Sequence, residues 1–275
     1  MNKEIYSKLL RILKEKGFKV FKIMNEIFDI YAVKDDNRIL IKIFEDAISL
    51  KKEQAEDLKK FSLFLKSFPV IVSNKYKGKI LEFGGYKRYG ILVLSINGFV
   101  YFLESFSDIR VYSGKIFVRI DSEKVKEILK RTRISDLSRR YNLSKYTIFK
   151  YIFYKKCLPL QITEDLEREF GINIKVKYKI NVERKEYQCN ISKILSTKGA
   201  EIFELEKYSP RIYGNIYNKS FGIIEREEEI DKARKFSKIF NIKFFGIEIE
   251  DKDIIKVTKE DLIKLKKEDL VCLLS

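Results

Sequence analysis

Histidine is absent from this chain of 275 residues. Its absence removes His-based catalytic triads, His metal sites and the commonest general base in one step. Cysteine is scarce. Cys157, Cys189 and Cys272 show no CxxC spacing, so neither a zinc site nor a disulfide framework is indicated, and they read as reduced thiols. No apolar run approaches the roughly 20 residues of a membrane span, and the chain starts on a charged amphipathic segment where a leader would be apolar. The expectation is a soluble cytoplasmic protein with no membrane contact, metal or cofactor.

What the chain has in excess is positive charge. Lys and Arg number 57 against 40 Asp and Glu, a net +17, which points to a polyanionic partner. The competing explanation is a thermophile surface rich in ion pairs. The distribution of charge argues against it. Residues 1–107 carry 20 basic and 13 acidic groups, 108–180 carry 18 and 9, and 181–275 carry 19 and 18. A compositional bias has no reason to spare the last third.

The middle of the chain holds ISDLSRRYNLSKYTIFKYI, Ile134 to Ile152, which reads as a helix-turn-helix. Leu137, Tyr141, Leu143, Ile148 and Tyr151 fall where two steeply crossing helices need apolar groups. Ser138 is small where the helices pass closest. Asn142 stands at the bend, where a left-handed residue is needed, and Ser144 is the natural N-cap of the second helix. The plain alternative is a buried amphipathic hairpin. Against it stand eleven basic and four acidic residues between Asp121 and Cys157.

A recognition helix over residues 144–154 would present Ser144, Lys145, Tyr146 and Thr147 to base edges of the major groove, with Lys150 one turn on. Arg131, Arg133, Arg139, Arg140, Lys155 and Lys156 are placed for phosphates, which give affinity without sequence preference. Around this pair, Val111 to Ile120 reads as a hairpin or extended lead-in, Asp121 or Ser122 caps a helix over 123–131, and Pro159 opens a helix over 160–170 that ends at Gly171. Several helices with a central helix-turn-helix match the lambda-repressor-like module.

The first third reads as a helix ending at Gly17, β-prone runs at 18–23 and 28–33, and the apolar strand Arg38 to Phe44. A helix over 48–67 follows, with Lys51, Lys52, Lys59 and Lys60 on its polar side. Pro69 stops that helix, Val70-Ile71-Val72 returns as a strand, and a last strand at 91–94 leads to a helix capped by Ser95. The last third repeats this plan. ILKEKGFKVFKI (Ile12 to Ile23) matches ILSTKGAEIFEL (Ile194 to Leu205), and Ile30-Tyr31 falls on Ile212-Tyr213. Lys60-Phe61-Ser62 matches Lys235-Phe236-Ser237, and Gly90 to Leu103 matches Asp253 to Lys266 with Ser95 over Thr258.

The N-terminal copy resembles the restriction-endonuclease-like fold, in which an Asp ending one strand and a Glu-x-Lys on the next hold Mg²⁺ for phosphodiester hydrolysis. The resemblance places Asp29 and Lys42 in those roles and puts Leu40 where the Glu belongs. In the second copy Arg211 takes the Asp position, and no Lys lies between Ser220 and Glu225. Both copies are therefore expected to be inactive, with Glu26, Glu45 or Asp46 as acids near enough to substitute.

Taken with GKIFVRIDSEKVKEILKRTRISDLSRRYNLSKYTIFKY in the middle, the chain resembles the archaeal HTH-type (Cro/repressor-type) transcriptional regulatory proteins with flanking restriction-endonuclease-like regions. The family pattern has Gly at the bend and a polar, acidic end to the recognition helix. Here Asn142 stands at the bend, and Phe149, Ile152 and Phe153 follow, apolar groups expected to pack on a neighbouring domain or a second subunit. The resemblance implies an α/β plus all-α chain: an inactive nuclease-like domain at 1–107, a helix-turn-helix domain at 108–180 and a second, shorter nuclease-like domain at 181–275. It implies a sequence-specific regulator that binds double-stranded DNA as a homodimer. The alternatives are a Mg²⁺-dependent endonuclease directed by the helix-turn-helix, with Asp29 and Lys42 catalytic, and an RNA-binding or general interaction protein.

Overall fold

The structure is a computed structural model, and it describes residues 3–24, 27–81, 84–112, 115–177 and 187–274. Two units interleave along the chain. One is made of Met1–Lys16, Ile43–Ser49 and Val70–Ile180, the other of Gly17–Lys42, Leu50–Pro69 and Asn181–Ser275.

In the first unit, the helix Lys3–Glu15 buries Ile5, Tyr6, Leu9 and Leu13 along one stripe, the spacing of a helix with one apolar face. The strand Ile91–Leu94 is buried throughout. It lies parallel to Val70–Val72 on one side and antiparallel to Gly85–Arg88 on the other. Gly85 is required there, because a Cβ would sit 2.2 Å from the Val93 carbonyl oxygen. Ser95 ends the strand and caps the helix Ile96–Ser105, accepting from the Gly98 amide at 3.0 Å. The strand expected at Val70–Val72 runs in full from Phe68 to Tyr76, since Pro69 at its second residue lacks an N–H that a strand end can do without.

The rest of this unit is a four-helix segment joined to a small sheet. Helices Ser122–Leu129, Ile134–Arg140 and Leu160–Phe170 surround a helix that starts at Lys145 and continues to Lys155. Their core is Val125, Ile128, Leu137, Ile148, Ile152, Ile162 and Leu166. The expected hairpin is formed by Ile109–Tyr112 and Lys115–Arg119, and Cys157–Pro159 adds a third, antiparallel strand at its edge. Pro159 is tolerated there because an edge strand has one side without ladder bonds. Nothing in a three-residue Cys-Leu-Pro run announces a strand.

In the second unit, Lys19–Lys22, Ile30–Lys34 and the residues from Asn37 to Lys42 form an antiparallel meander, and the helix Lys52–Phe64 belongs with them. The C-terminal part of the unit has the helix Asn190–Thr197, then the antiparallel meander Glu201–Glu204, Ile212–Ile216 and Lys219–Ile224. The helix Ile230–Phe240 follows, and the strands Lys243–Ile247 and Ile255–Val257 extend the sheet in parallel. Thr258 caps Lys259–Lys264 in a reciprocal capping box with Asp261.

Aromatic rings fill the space between these segments. Phe61 is fully buried, with its ring centroid 5.5 Å from Phe28, 5.0 Å from Tyr213 and 5.6 Å from Phe236. The helix expected over 48–67 is shorter, a 3₁₀ turn at Ala47–Ser49 followed by Lys52–Phe64. Its basic side divides: Lys51 and Lys52 are exposed, and Lys59 and Lys60 are not. Lys59 pairs with Glu56 at 2.6 Å and Lys60 with Glu206 at 3.2 Å, each with most of its side chain covered.

Asp57 on that helix accepts from the Glu206 and Lys207 amides at 2.7 and 2.8 Å. Burial nonetheless holds its carboxyl above the usual carboxylate range, against the lowering by those amides and Lys60. A raised folded-state pKa means that the native state binds the proton more tightly. Asp57 therefore contributes most below the unfolded value, and that contribution falls as pH rises through the folded one. Asp57→Asn should flatten this part of the stability profile. Denaturation midpoints measured between about pH 3 and pH 6 check it, and an unchanged profile would show that Asp57 is solvated.

Candidate nucleic-acid interface

The turn of the helix-turn-helix is built from local bonds. The Tyr141 amide closes the first helix onto Leu137 at 3.0 Å, and Asn142 takes φ 50°, the left-handed conformation expected at the bend. Ser138 donates to the Leu143 carbonyl at 2.6 Å, and the Leu143 amide returns to the Ser138 carbonyl at 3.1 Å. Ser138 thus ties the two helices together besides being small. Ser144 caps the second helix by accepting from the Thr147 amide at 3.0 Å, and its Oγ lies 2.8 Å from the Thr147 hydroxyl. Both hydroxyls expected at base edges have partners inside the turn. Lys145, Tyr146 and Lys150 are exposed.

After Phe149 the second helix widens into a π-helical turn, Lys150–Lys155, and ends at Lys156 with φ 50°. A helix wound i to i+5 brings residues five apart onto one face. Tyr154 accordingly lies beside Phe149, ring centroids 5.9 Å apart, with Phe153 at 4.7 Å. The result is an exposed aromatic row: Tyr146 is 69% exposed, Phe149 41% and Tyr154 74%. The three apolar groups of this helix were expected to cover a neighbour, and they divide differently. Ile152 is fully buried in the core of the four-helix segment, Phe153 packs against that core, and Phe149 packs on Phe153. Apolar content shows in the sequence, but the π turn that sorts it does not.

The basic residues also divide. Arg131, Arg133 and Lys156 are exposed at element ends. Arg139 is exposed and 3.4 Å from Asp136. Arg140 makes a two-pronged ion pair with Glu169 on the helix Leu160–Phe170, which keeps its guanidinium firmly charged and binds the two helices together. Lys150 stands over the Tyr146 ring at 5.9 Å, and Lys155 over Tyr151 at 5.4 Å. Both are cation–π distances.

The second candidate site lies in the other unit. Asp29 is 5% exposed, its amide donates to the Ile41 carbonyl at 2.8 Å, and Lys42 Nζ is 3.3 Å from its Oδ1. The two candidate catalytic groups are therefore together. Leu40, at the position where the resemblance expects the Glu, is fully buried. Among the described residues no group of three or more His, Cys, Asp or Glu side chains could hold a metal ion, and Glu26 lies outside the described residues. Among the described residues, Asp29 beside the Lys42 ammonium does not supply the several hard oxygens that a nuclease Mg²⁺ takes. In the C-terminal meander, Arg211 donates to the Leu205 carbonyl at 3.2 Å.

Among the described residues no helix is long and apolar enough to cross a membrane. Residues 2–106 match the PD-(D/E)XK superfamily domain. The chain is 34% identical over 151 residues to a protein of Archaeoglobus fulgidus named "Putative HTH-type transcriptional regulatory protein", covering 52% of this chain and 49% of that one. A Methanococcus maripaludis protein of the same name is 33% identical over 157 residues, 55% of this chain and 48% of its own length. These matches span about half of each relative. A Methanococcus vannielii protein so named aligns more fully, at 26% identity over 88% of this chain and 86% of its length. Residues 2–106 thus carry a PD-(D/E)XK superfamily domain, in a chain whose archaeal homologues are named as HTH-type transcriptional regulatory proteins.

Proposed function

We propose that this chain is a sequence-specific regulator of transcription that binds double-stranded DNA in the cytoplasm as a homodimer, with residues 144–154 in the major groove. The observation that carries the reading is the capped helix after Asn142, which holds Lys145, Tyr146 and Lys150 exposed within a strongly basic stretch. N-terminal residues of such a helix reach base edges. Arg131, Arg133, Arg139 and Lys156 serve phosphates. Arg140 serves the fold first, through Glu169. We read the helices around the turn as a lambda-repressor-like arrangement extended by the three-stranded sheet.

We further propose that segments 1–107 and 181–275 are copies of one nuclease-like plan and that 108–180 is the DNA-binding insert. In both copies a helix precedes an antiparallel three-strand meander and a second helix. The pairs Phe21↔Tyr31 and Phe203↔Tyr213 also occupy matching register. Both copies are proposed to be inactive, because Leu40 and Arg211 stand where carboxylates would hold a cation.

The salt dependence of binding tests the first claim. Each phosphate contact should contribute about −0.9 to the log–log slope of affinity against salt, and a slope near zero would remove the basic middle from the interface. The second reading, an endonuclease, draws on the Asp29–Lys42 pair. Incubation of the protein and Asp29→Ala with duplex and single-stranded DNA in Mg²⁺ or Mn²⁺ decides it. Cleavage that the substitution abolishes would replace the regulator with the nuclease.

A further inference from the structure

The helix after Asn142 turns Ile148 and Ile152 into the core and leaves an aromatic row outside. Tyr146 and Phe149 stand three residues apart on its α-helical part, and so on one face. Tyr154 joins them only through the π turn. In an unbroken α-helix a residue five places on would lie roughly 140° round from Phe149, whereas here the two rings are 5.9 Å apart. Phe153 backs Phe149 at 4.7 Å and itself packs on the core. The middle ring of the row is therefore held in place, and π turns of this kind collect at functional sites.

The surroundings are basic. Residues 144–157 carry Lys145, Lys150, Lys155 and Lys156 and no Asp or Glu, and Lys150 Nζ lies 5.9 Å over the Tyr146 ring. The helices packed against this one, Ser122–Leu129 and Ile134–Arg140, bring three acids, Glu123, Glu127 and Asp136. Glu123 is paired with Lys126 at 2.8 Å and Asp136 with Arg139 at 3.4 Å. The charge complements a polyanion. A second copy seated on the row by a two-fold axis would set lysines against lysines.

An intact duplex does not use such a row. Its major groove displays base edges, polar apart from the thymine methyl, and its base faces are stacked on one another, so the exposed ring faces would stay in water. Unpaired bases present their faces, and stacking on aromatic side chains beside lysines is how they are held. From Tyr146 to Tyr154 the helix reaches about 12 Å at about 1.5 Å per residue, room for three or four bases at about 3.4 Å per step. We infer that the aromatic row stacks unpaired bases, so that the helix takes DNA in which a few base pairs beside the duplex site are open. This substrate rests on the DNA-binding reading and narrows it: Lys145 at the helix start meets paired bases, and the row meets the open ones.

Fluorescence anisotropy with the full chain tests it on a paired duplex, the same duplex with a run of central mismatches, and that duplex with abasic sites in place of the mismatched bases. The mismatched duplex should bind at least about 10-fold more tightly than the paired one, as one or two base–aromatic stacks allow. The abasic duplex, as flexible but without bases to stack, should not. Tyr154→Ala should bring the paired and mismatched affinities together, and Tyr154→Phe, which keeps the ring, should preserve the difference. Tyr154 is 74% exposed, so thermal unfolding of the free variants should match the wild type. If Tyr154→Ala unfolds early, Tyr146→Ala at the other exposed end of the row carries the test. Equal affinity for paired and mismatched duplexes would overturn the stacking role and leave the duplex-binding reading standing, as would an abasic duplex bound as tightly as the mismatched one. Failure to bind any of the three would remove both. A Tyr154→Ala chain that loses self-association in sedimentation, with its mismatch preference intact, would give the row to a second copy.

Discussion

Replacing Lys145 and Lys150 together with Ala should lower affinity for a cognate duplex by about 2–6 kcal/mol, since each lost base contact costs about 1–3 kcal/mol. Affinity for unrelated duplex should fall far less, because the exposed arginines that meet phosphates are untouched. Neither lysine contributes to the core, which rests on Leu137, Ile148 and Ile152, so circular dichroism should be unaltered. The Ser144 cap and the Ser138–Leu143 bonds also stay in place. Gel-shift titration of both proteins on cognate and unrelated duplexes reads the difference. Equal losses on the two duplexes would assign both lysines to the backbone, and no loss would take this helix out of the interface.

Phe61→Ala is the substitution expected to cost most in stability, about 3–5 kcal/mol for a fully buried phenylalanine. Its ring lies within 5.7 Å of Phe64 and 6.2 Å of Phe240 in addition to the partners already named. Those partners come from both ends of the chain, so collapse around the cavity would require two remote segments to move together. Chemical denaturation of the full chain should show the loss as an earlier midpoint. A shift under about 1 kcal/mol would mean that the ring packs loosely against the C-terminal segments.

Local geometry was legible in the sequence because it depends on residues a few positions apart. Ser95, Asp121, Ser144 and Thr258 all cap helices through side-chain bonds to nearby amides, and Asn142 is left-handed where the bend demands it. Asp29 and Lys42 were named through the resemblance to the restriction-endonuclease-like fold, and the meander brings them within 3.3 Å of each other. What stayed hidden depends on distant partners. Lys60 could be placed only on the polar side of its helix, because its partner Glu206 lies 146 residues away. The π turn after Phe149 has no composition of its own, so Tyr154 could not be placed beside Phe149 from spacing alone.

Selection from a random duplex library with the full-length protein tests the central claim most directly. One short motif should be enriched, bound more weakly as salt rises and no longer enriched by the Lys145→Ala/Lys150→Ala protein. A library that stays random with the wild-type chain, or a motif that the double variant selects unchanged, would contradict it.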